Sequence, residues 1–172
     1  MFPISSRLIG LGVFTACAGL LASAYYFEYV LYMDPCPLCI MQRIAVLLVG
    51  VAGLLGFLLS RNQMASLLSH GLMILSAILG LSVAARHVWI QSLPADQVPT
   101  CGPSLEYMVD TLPWAEVLAV MLRGNGNCAD SHWSFIGLSM PQWVLVWFVG
   151  FLLVGIYLLI TTKNSKNAPE KV

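Results

Sequence analysis

Long apolar runs alternate with short polar breaks along this chain, and four of the runs have the length of a membrane crossing. Leu8 to about Val30, Ile40 to Leu59, Gly71 to about Trp89, and Trp143 to Ile160 each approach the roughly 20 mostly apolar residues a spanning helix needs. Lipid offers no partner to backbone N–H and C=O groups, so each run is predicted to be a helix that satisfies its own backbone. Glycines within the runs let neighbouring helices come close. The third run is the weakest, because Arg86 and His87 fall within it near one end. The expected architecture is an all-α membrane protein, a four-helix bundle forming one integral membrane domain over 1–172.

Composition removes the soluble alternative. Hydrophobic residues make up 59% of the 172 and charged residues 9%, with mean hydropathy +0.83. Soluble domains hold about 45–50% apolar and 25% charged residues. A formal net charge of zero, with no basic patch to meet phosphates, argues against nucleic acid binding.

Charge sets an expected orientation. Arg7, Arg61, Lys163, Lys166 and Lys171 flank the ends that share one side when four helices cross, while Asp34, Asp96, Glu106, Asp110, Glu116 and Asp130 lie in the other two connections. The positive-inside rule puts both termini and the Arg61 turn in the cytoplasm. Tyr25, Tyr26, Tyr29, Tyr32, Trp89, Trp143 and Trp147 form an aromatic belt at the opposite boundary. The first run also imitates a signal peptide, with Arg7 ahead and Ala22-Ser23-Ala24 behind, and Cys17 loosely imitates a lipoprotein site. Its apolar stretch exceeds a signal core and reaches the aromatic belt, so an uncleaved anchor is expected.

The two connections on the acidic side hold the chemistry. The short one, about 31–39, contains Cys36-Pro37-Leu38-Cys39; Pro35 and Pro37 disfavour helix in the residues before them, so the second helix is expected to begin near Cys39. The long one, about 91–142, contains Cys101 and Cys128, with Pro94, Pro99, Pro103 and Pro113 and the turn Gly124-Asn125-Gly126-Asn127. Between its cysteines, Pro113 to Leu122 reads as a helix too short to span, expected to lie in the membrane interface or against other loop residues.

Of the five cysteines, Cys17 sits mid-helix and reads as a small apolar residue. The other four allow three connectivities that counting cannot rank. Ring geometry favours Cys36 with Cys39, leaving Cys101 with Cys128. A Cys101–Cys128 bridge would suit a structural role, stabilising by roughly 3–4 kcal/mol. A Cys36–Cys39 ring removes little chain entropy, and small Cys-x-x-Cys rings are the form used in redox exchange. A four-cysteine zinc site is the competing reading, weakened by the wide separation of Cys101 and Cys128. Covalent haem is unsupported, since no His follows Cys39.

Arg43 falls one helical turn beyond Cys39 and deeper toward lipid. An intramembrane cation is a functional candidate, suited to stabilising a Cys39 thiolate and negative charge developing on a quinone oxygen. Snorkelling of its stem is the bland alternative. His87 reaches the same depth and offers a hydrogen bond or proton to that oxygen. His132 and His70 have no cysteine or carboxylate at recognisable spacing and carry no proposed role.

Taken together, these features resemble the DsbB family, the inner-membrane disulfide bond formation proteins of Gram-negative bacteria. The resemblance rests on four spans, Cys36-Pro37-Leu38-Cys39 with Arg43, then Cys101, Cys128 and the tract from Trp133 to Trp143. It implies an enzyme that reoxidises the periplasmic thiol oxidase DsbA and passes the electrons to ubiquinone, or to menaquinone without oxygen. It further implies a mixed disulfide of DsbA with Cys101, Cys128 as its partner, and Cys36 with Cys39 as the pair that reoxidises them. Arg43 and His87 match the family's quinone-site positions; Met140 and Trp143 are expected to line the same pocket. The enzyme rival is a vitamin K epoxide reductase-like protein, whose Cys-x-x-Cys comes late in the bundle. The non-enzyme rival is a four-span binding protein with zinc or structural disulfides.

Overall fold

A computed structural model describes residues 6–94, 96–102, 105–129 and 133–167, apart from the side chains of 105, 106 and 165–167. The expectations for Pro103, Asp130, His132 and Lys171, and for the side chains of Glu106 and Lys166, lie outside that set.

Four long helices build the protein: α1 (Ser6–Tyr29), α2 (Pro37–Leu58), α3 (Gln63–Gln91) and, after the long connection, α6 (Met140–Asn167). All four are long and apolar enough to cross a membrane. Two boundaries differ from the sequence expectation for physical reasons. α2 begins at Pro37, because proline suits the first helical position and the Cys36 Sγ caps the turn, accepting from the Cys39 N–H at 3.3 Å. α3 reaches back from Gly71 to Gln63, where Asn62 Oδ1 accepts from the N–H groups of Met64 (3.1 Å) and Ala65 (3.4 Å). Its extra turns are polar yet buried: Ser66, Ser69 and His70 all face inward, and Ser69 satisfies its hydroxyl on the Ser66 carbonyl at 2.8 Å.

Packing follows chain order, α1 on α2, α2 on α3 and α3 on α6, while α1 and α6 barely meet. Small residues set the separations. A Cβ on Gly53 would lie 2.9 Å from the Gly10 carbonyl oxygen, and one on Gly10 would lie 2.8 Å from that of Gly53. The core joins Val13 and Cys17 of α1, Val46 and Val49 of α2, Met73 and Ala77 of α3, and Phe148 and Phe151 of α6. Cys17 thus has the packing role its position implied.

The long connection carries two short helices, α4 (Leu105–Thr111) and α5 (Trp114–Arg123). One face of α5 buries Val117 and Met121 with Met108, against Ile40 and Met41 at the start of α2. The other exposes Trp114, Leu118 and Leu122, an apolar stripe at helical spacing suited to the membrane interface. A hairpin that the sequence did not reveal follows: β1 (Ser134–Phe135) pairs antiparallel with β2 (Leu138–Ser139) just before α6.

Candidate functional site

The site is assembled where the start of α2, the end of α3, the hairpin and α1 come together. Cys36 and Cys39 lie on one helical turn, Sγ to Sγ 3.0 Å. Cys128, on the short turn Gly126–Cys128, is completely buried and packs with Cys36, Leu38 and Ile90. The Cys36 Sγ, the Cys128 Sγ and a His87 ring nitrogen lie within 4.8 Å of one another. All five thiols are free.

His87 is buried, and each of its ring nitrogens is engaged. Gln42 Nε2 donates to His87 Nδ1 at 3.2 Å, which places the imidazole proton on Nε2. That Nε2–H donates to the Cys128 carbonyl at 3.1 Å and lies 3.7 Å from the Cys36 Sγ. Histidine thereby ties the Cys128 turn to the Cys-x-x-Cys turn. Direct donation to a ligand would require it to give up the carbonyl bond.

The thiols outside the spanning helices share protons unequally. Cys36 donates to Cys128 and to Cys39, and holding those bonds pushes its own ionisation well above the usual thiol range. Cys128, accepting from Cys36, is lowered from 9.0 to about 6 despite burial. The arrangement favours a Cys128 thiolate facing a protonated Cys36.

Beside the thiols lies a cavity of about 350 Å³, within the range of small-molecule sites. Cys36, Cys39, Arg43, His87, Met140 and Trp143 all line it, so six of the eight candidate residues meet in one space. Its walls are mostly apolar and aromatic: Leu20, Leu21 and Phe27 from α1, Val46 from α2, Val144 and Trp147 from α6. Phe27, Trp133, Phe135 and Trp143 form a chain of ring contacts 5.4 to 6.1 Å apart across the hairpin. Trp143 Nε1 donates to the Phe135 carbonyl at 3.1 Å, locking the hairpin to α6. Ser139 adds a hydroxyl bond to Gln91 Oε1 at 2.8 Å, locking it to α3.

Cys101 and Cys128 are not among the lining residues. Cys101 is exposed on a segment that touches the Cys128 turn: the Gly126 N–H donates to the Thr100 carbonyl at 3.2 Å, and a Cβ on Gly126 would lie 3.1 Å from the Cys101 Sγ.

Arg43 does not snorkel free. Its Nη1 donates to Glu28 Oε2 in an ion pair, its Nη2 donates to the Ala24 carbonyl at 3.2 Å, and the guanidinium stacks 5.3 Å from the Tyr25 ring centre. Sequence reasoning missed both Glu28 and Gln42. Glu28 had a signal, a lone carboxylate inside an apolar run; Gln42, between Met41 and Arg43, had none.

Comparison with known proteins identifies the family. A family profile described as Disulfide bond formation protein DsbB matches residues 6–158. A protein of Marinobacter nauticus named Disulfide bond formation protein B is 46% identical over 164 residues, covering 95% of this chain and 98% of its own length. Like-named proteins of Hahella chejuensis and Chromohalobacter salexigens are 45% and 47% identical, covering 88% and 83% of this chain and 92% and 84% of their own. The match spans the helices and the cysteine-bearing connections alike, which sets aside the epoxide reductase and binding-protein readings. This four-helix membrane protein belongs to the DsbB family of disulfide bond formation proteins.

Proposed function

We propose that this protein oxidises a soluble DsbA-type dithiol partner on the periplasmic face of the bacterial inner membrane and delivers the electrons to a lipid-soluble quinone substrate. The observation that carries the reading is the shared cavity: Cys36, Cys39, Arg43 and His87 line one largely apolar space, with Cys128 packed behind Cys36.

The fit of a quinone rests on the walls and the charge. A flat, apolar ring with two polar oxygens suits aromatic and aliphatic walls broken by a guanidinium. The seam between α1 and α6 suits an isoprenoid tail, since those helices barely meet and both contribute apolar lining. Ubiquinone, or menaquinone without oxygen, supplies a two-electron, two-proton acceptor when bound.

The thiol steps use the chain's own geometry. The partner's thiolate attacks Cys101, the exposed member of a Cys101–Cys128 disulfide, and Cys128 leaves as a thiolate. Cys128 then attacks the Cys36 sulfur of a Cys36–Cys39 disulfide, forming Cys36–Cys128 and expelling Cys39. The partner's second thiol resolves the mixed disulfide and frees Cys101, which attacks Cys128 and releases Cys36. Cys36 and Cys39, now both reduced, close their disulfide while two electrons and two protons pass to the acceptor. The sum is one partner dithiol and one quinone converted to one partner disulfide and one quinol. Arg43 stabilises negative charge on Cys39 and on the acceptor oxygen, and His87 holds the Cys128 turn at the Cys36 sulfur.

The test is quinone reduction by the purified protein with a reduced DsbA-type substrate. Turnover is expected in the wild type and absent in Cys39→Ser; thiols inert to quinone in the wild type would overturn the reading. Cys128→Ser is expected to accumulate a covalent Cys101–partner adduct on a non-reducing gel.

A further inference from the structure

We infer that Glu28 is the positioning residue for Arg43, and that through Arg43 it sets how tightly the cavity holds its electron acceptor. This rests on the acceptor-site reading given above.

One side of α1 grips the guanidinium. Ala24 offers its carbonyl, Tyr25 its ring face, and Glu28, one turn along, its carboxylate. Arg43 belongs to α2, so this grip crosses the α1–α2 interface. The paired side chains are only 20% and 22% exposed. A cation at this depth is costly unless paired, and a flexible arginine stem would otherwise turn toward the surface.

Donor geometry gives the grip its direction. A guanidinium carries five N–H donors in a fixed planar fork. Nη1 and Nη2 each commit a donor to α1, and the rest keep an orientation set by that anchoring. Arg43 lines the cavity whereas Glu28 does not. Glu28 therefore acts behind the arginine, holding the fork so that its free edge serves the acceptor. Asp34, unlike Glu28, does line the cavity; among the described residues it forms no ion pair with Arg43.

Steady-state kinetics with a short-chain ubiquinone analogue test this in the full-length protein. Glu28→Ala is expected to raise the quinone KM by about tenfold, the scale of one lost charge-assisted contact, with a smaller change in kcat. The Glu28→Ala/Arg43→Ala double variant is expected to be no worse than Arg43→Ala alone, because the two residues act as one unit. Glu28→Gln keeps the reach without the charge, and Glu28→Asp keeps the charge one methylene short. The aspartate variant should have the higher KM of the two, and this pair carries the test if Glu28→Ala does not fold.

Unchanged KM in Glu28→Ala, effects that multiply in the double variant, or an aspartate variant better than the glutamine one would each overturn the inference while wild-type turnover stands. Wild-type protein without turnover overturns the acceptor-site reading and this inference with it.

Discussion

In the fully reduced protein the Cys128 thiol ionises at about 6, while its neighbour Cys36 holds its proton to high pH. An unfolded chain ionises both near the usual 9.0. Between pH 6 and 9 the folded state therefore binds fewer protons at Cys128 than the unfolded state, and stability from this group rises with pH. That stability is fully present above 9 and is lost as pH falls through 6. Cys36 has the opposite sign: its contribution is complete below 9 and declines as pH rises further. Thiolate absorbance of the reduced protein should include an ionisation near pH 6 that belongs to Cys128 and is missing from Cys128→Ser. Cys36→Ala, which removes the donated hydrogen bond, should move that ionisation back toward 9.0; an unmoved transition would mean Cys36 does not set it. The sequence made these thiols legible as a group of four but not as neighbours. Nothing in the residues around Cys128 says that its turn docks on Cys36. That docking depends on Gln42, His87 and the Cys128 carbonyl meeting from three separate segments. Glu28 was hidden for a related reason: its partner lies on another helix, and no periodicity within one helix fixes the register between two.

The spanning helices could be read from the sequence because a bilayer imposes a length, and apolar runs of that length are visible in a single chain. Their ends were harder, since polar residues such as Ser66 and His70 interrupt the apolar run without interrupting the helix. The hairpin was hidden because each strand has only two residues. Its turn places Ile136 at φ 53 and Gly137 at φ 76, as a type I′ turn requires. A β-branched residue there is strained, by about 1–3 kcal/mol, and the Ile136 side chain is 77% exposed, so little burial opposes a change. Ile136→Asn should raise the thermal unfolding midpoint, with Ile136→Val as the control that keeps the strain. Close helix contact makes the opposite prediction at Gly53. A Cβ there meets the Gly10 carbonyl oxygen at 2.9 Å and Val13 Cγ1 at 3.1 Å. Gly53→Val should destabilise by about 1–3 kcal/mol through overpacking, whereas Gly71→Ala, with open space at its Cβ, should fold as well as the wild type. Equal midpoints for the two would show that α1 and α2 do not depend on this approach.

The whole molecule is an incomplete ring. α1, α2, α3 and α6 pack in succession, but the ring does not close between α6 and α1. Helices in lipid gain little from hiding apolar surface, because lipid tails are as apolar as the side chains they meet. An open seam therefore costs far less here than it would in water. It connects the thiols and Arg43 at the aromatic end with the surrounding membrane along Leu20, Leu21, Val144 and Trp147. If the acceptor enters there, bulk in the seam should obstruct it without touching thiol exchange at Cys101. Val144→Trp is expected to raise the quinone KM by about tenfold or more, the scale of a filled apolar pocket. Its effect should be greater for a long-tailed quinone than for a short one, because only the tail must occupy the seam. Single-turnover reduction of the Cys101–Cys128 disulfide by the reduced partner, followed by trapping of the mixed disulfide, should keep its wild-type rate. Equal losses for long and short quinones would mean that the obstruction lies at the ring rather than along the seam. Unaltered kinetics with both would place the entrance elsewhere.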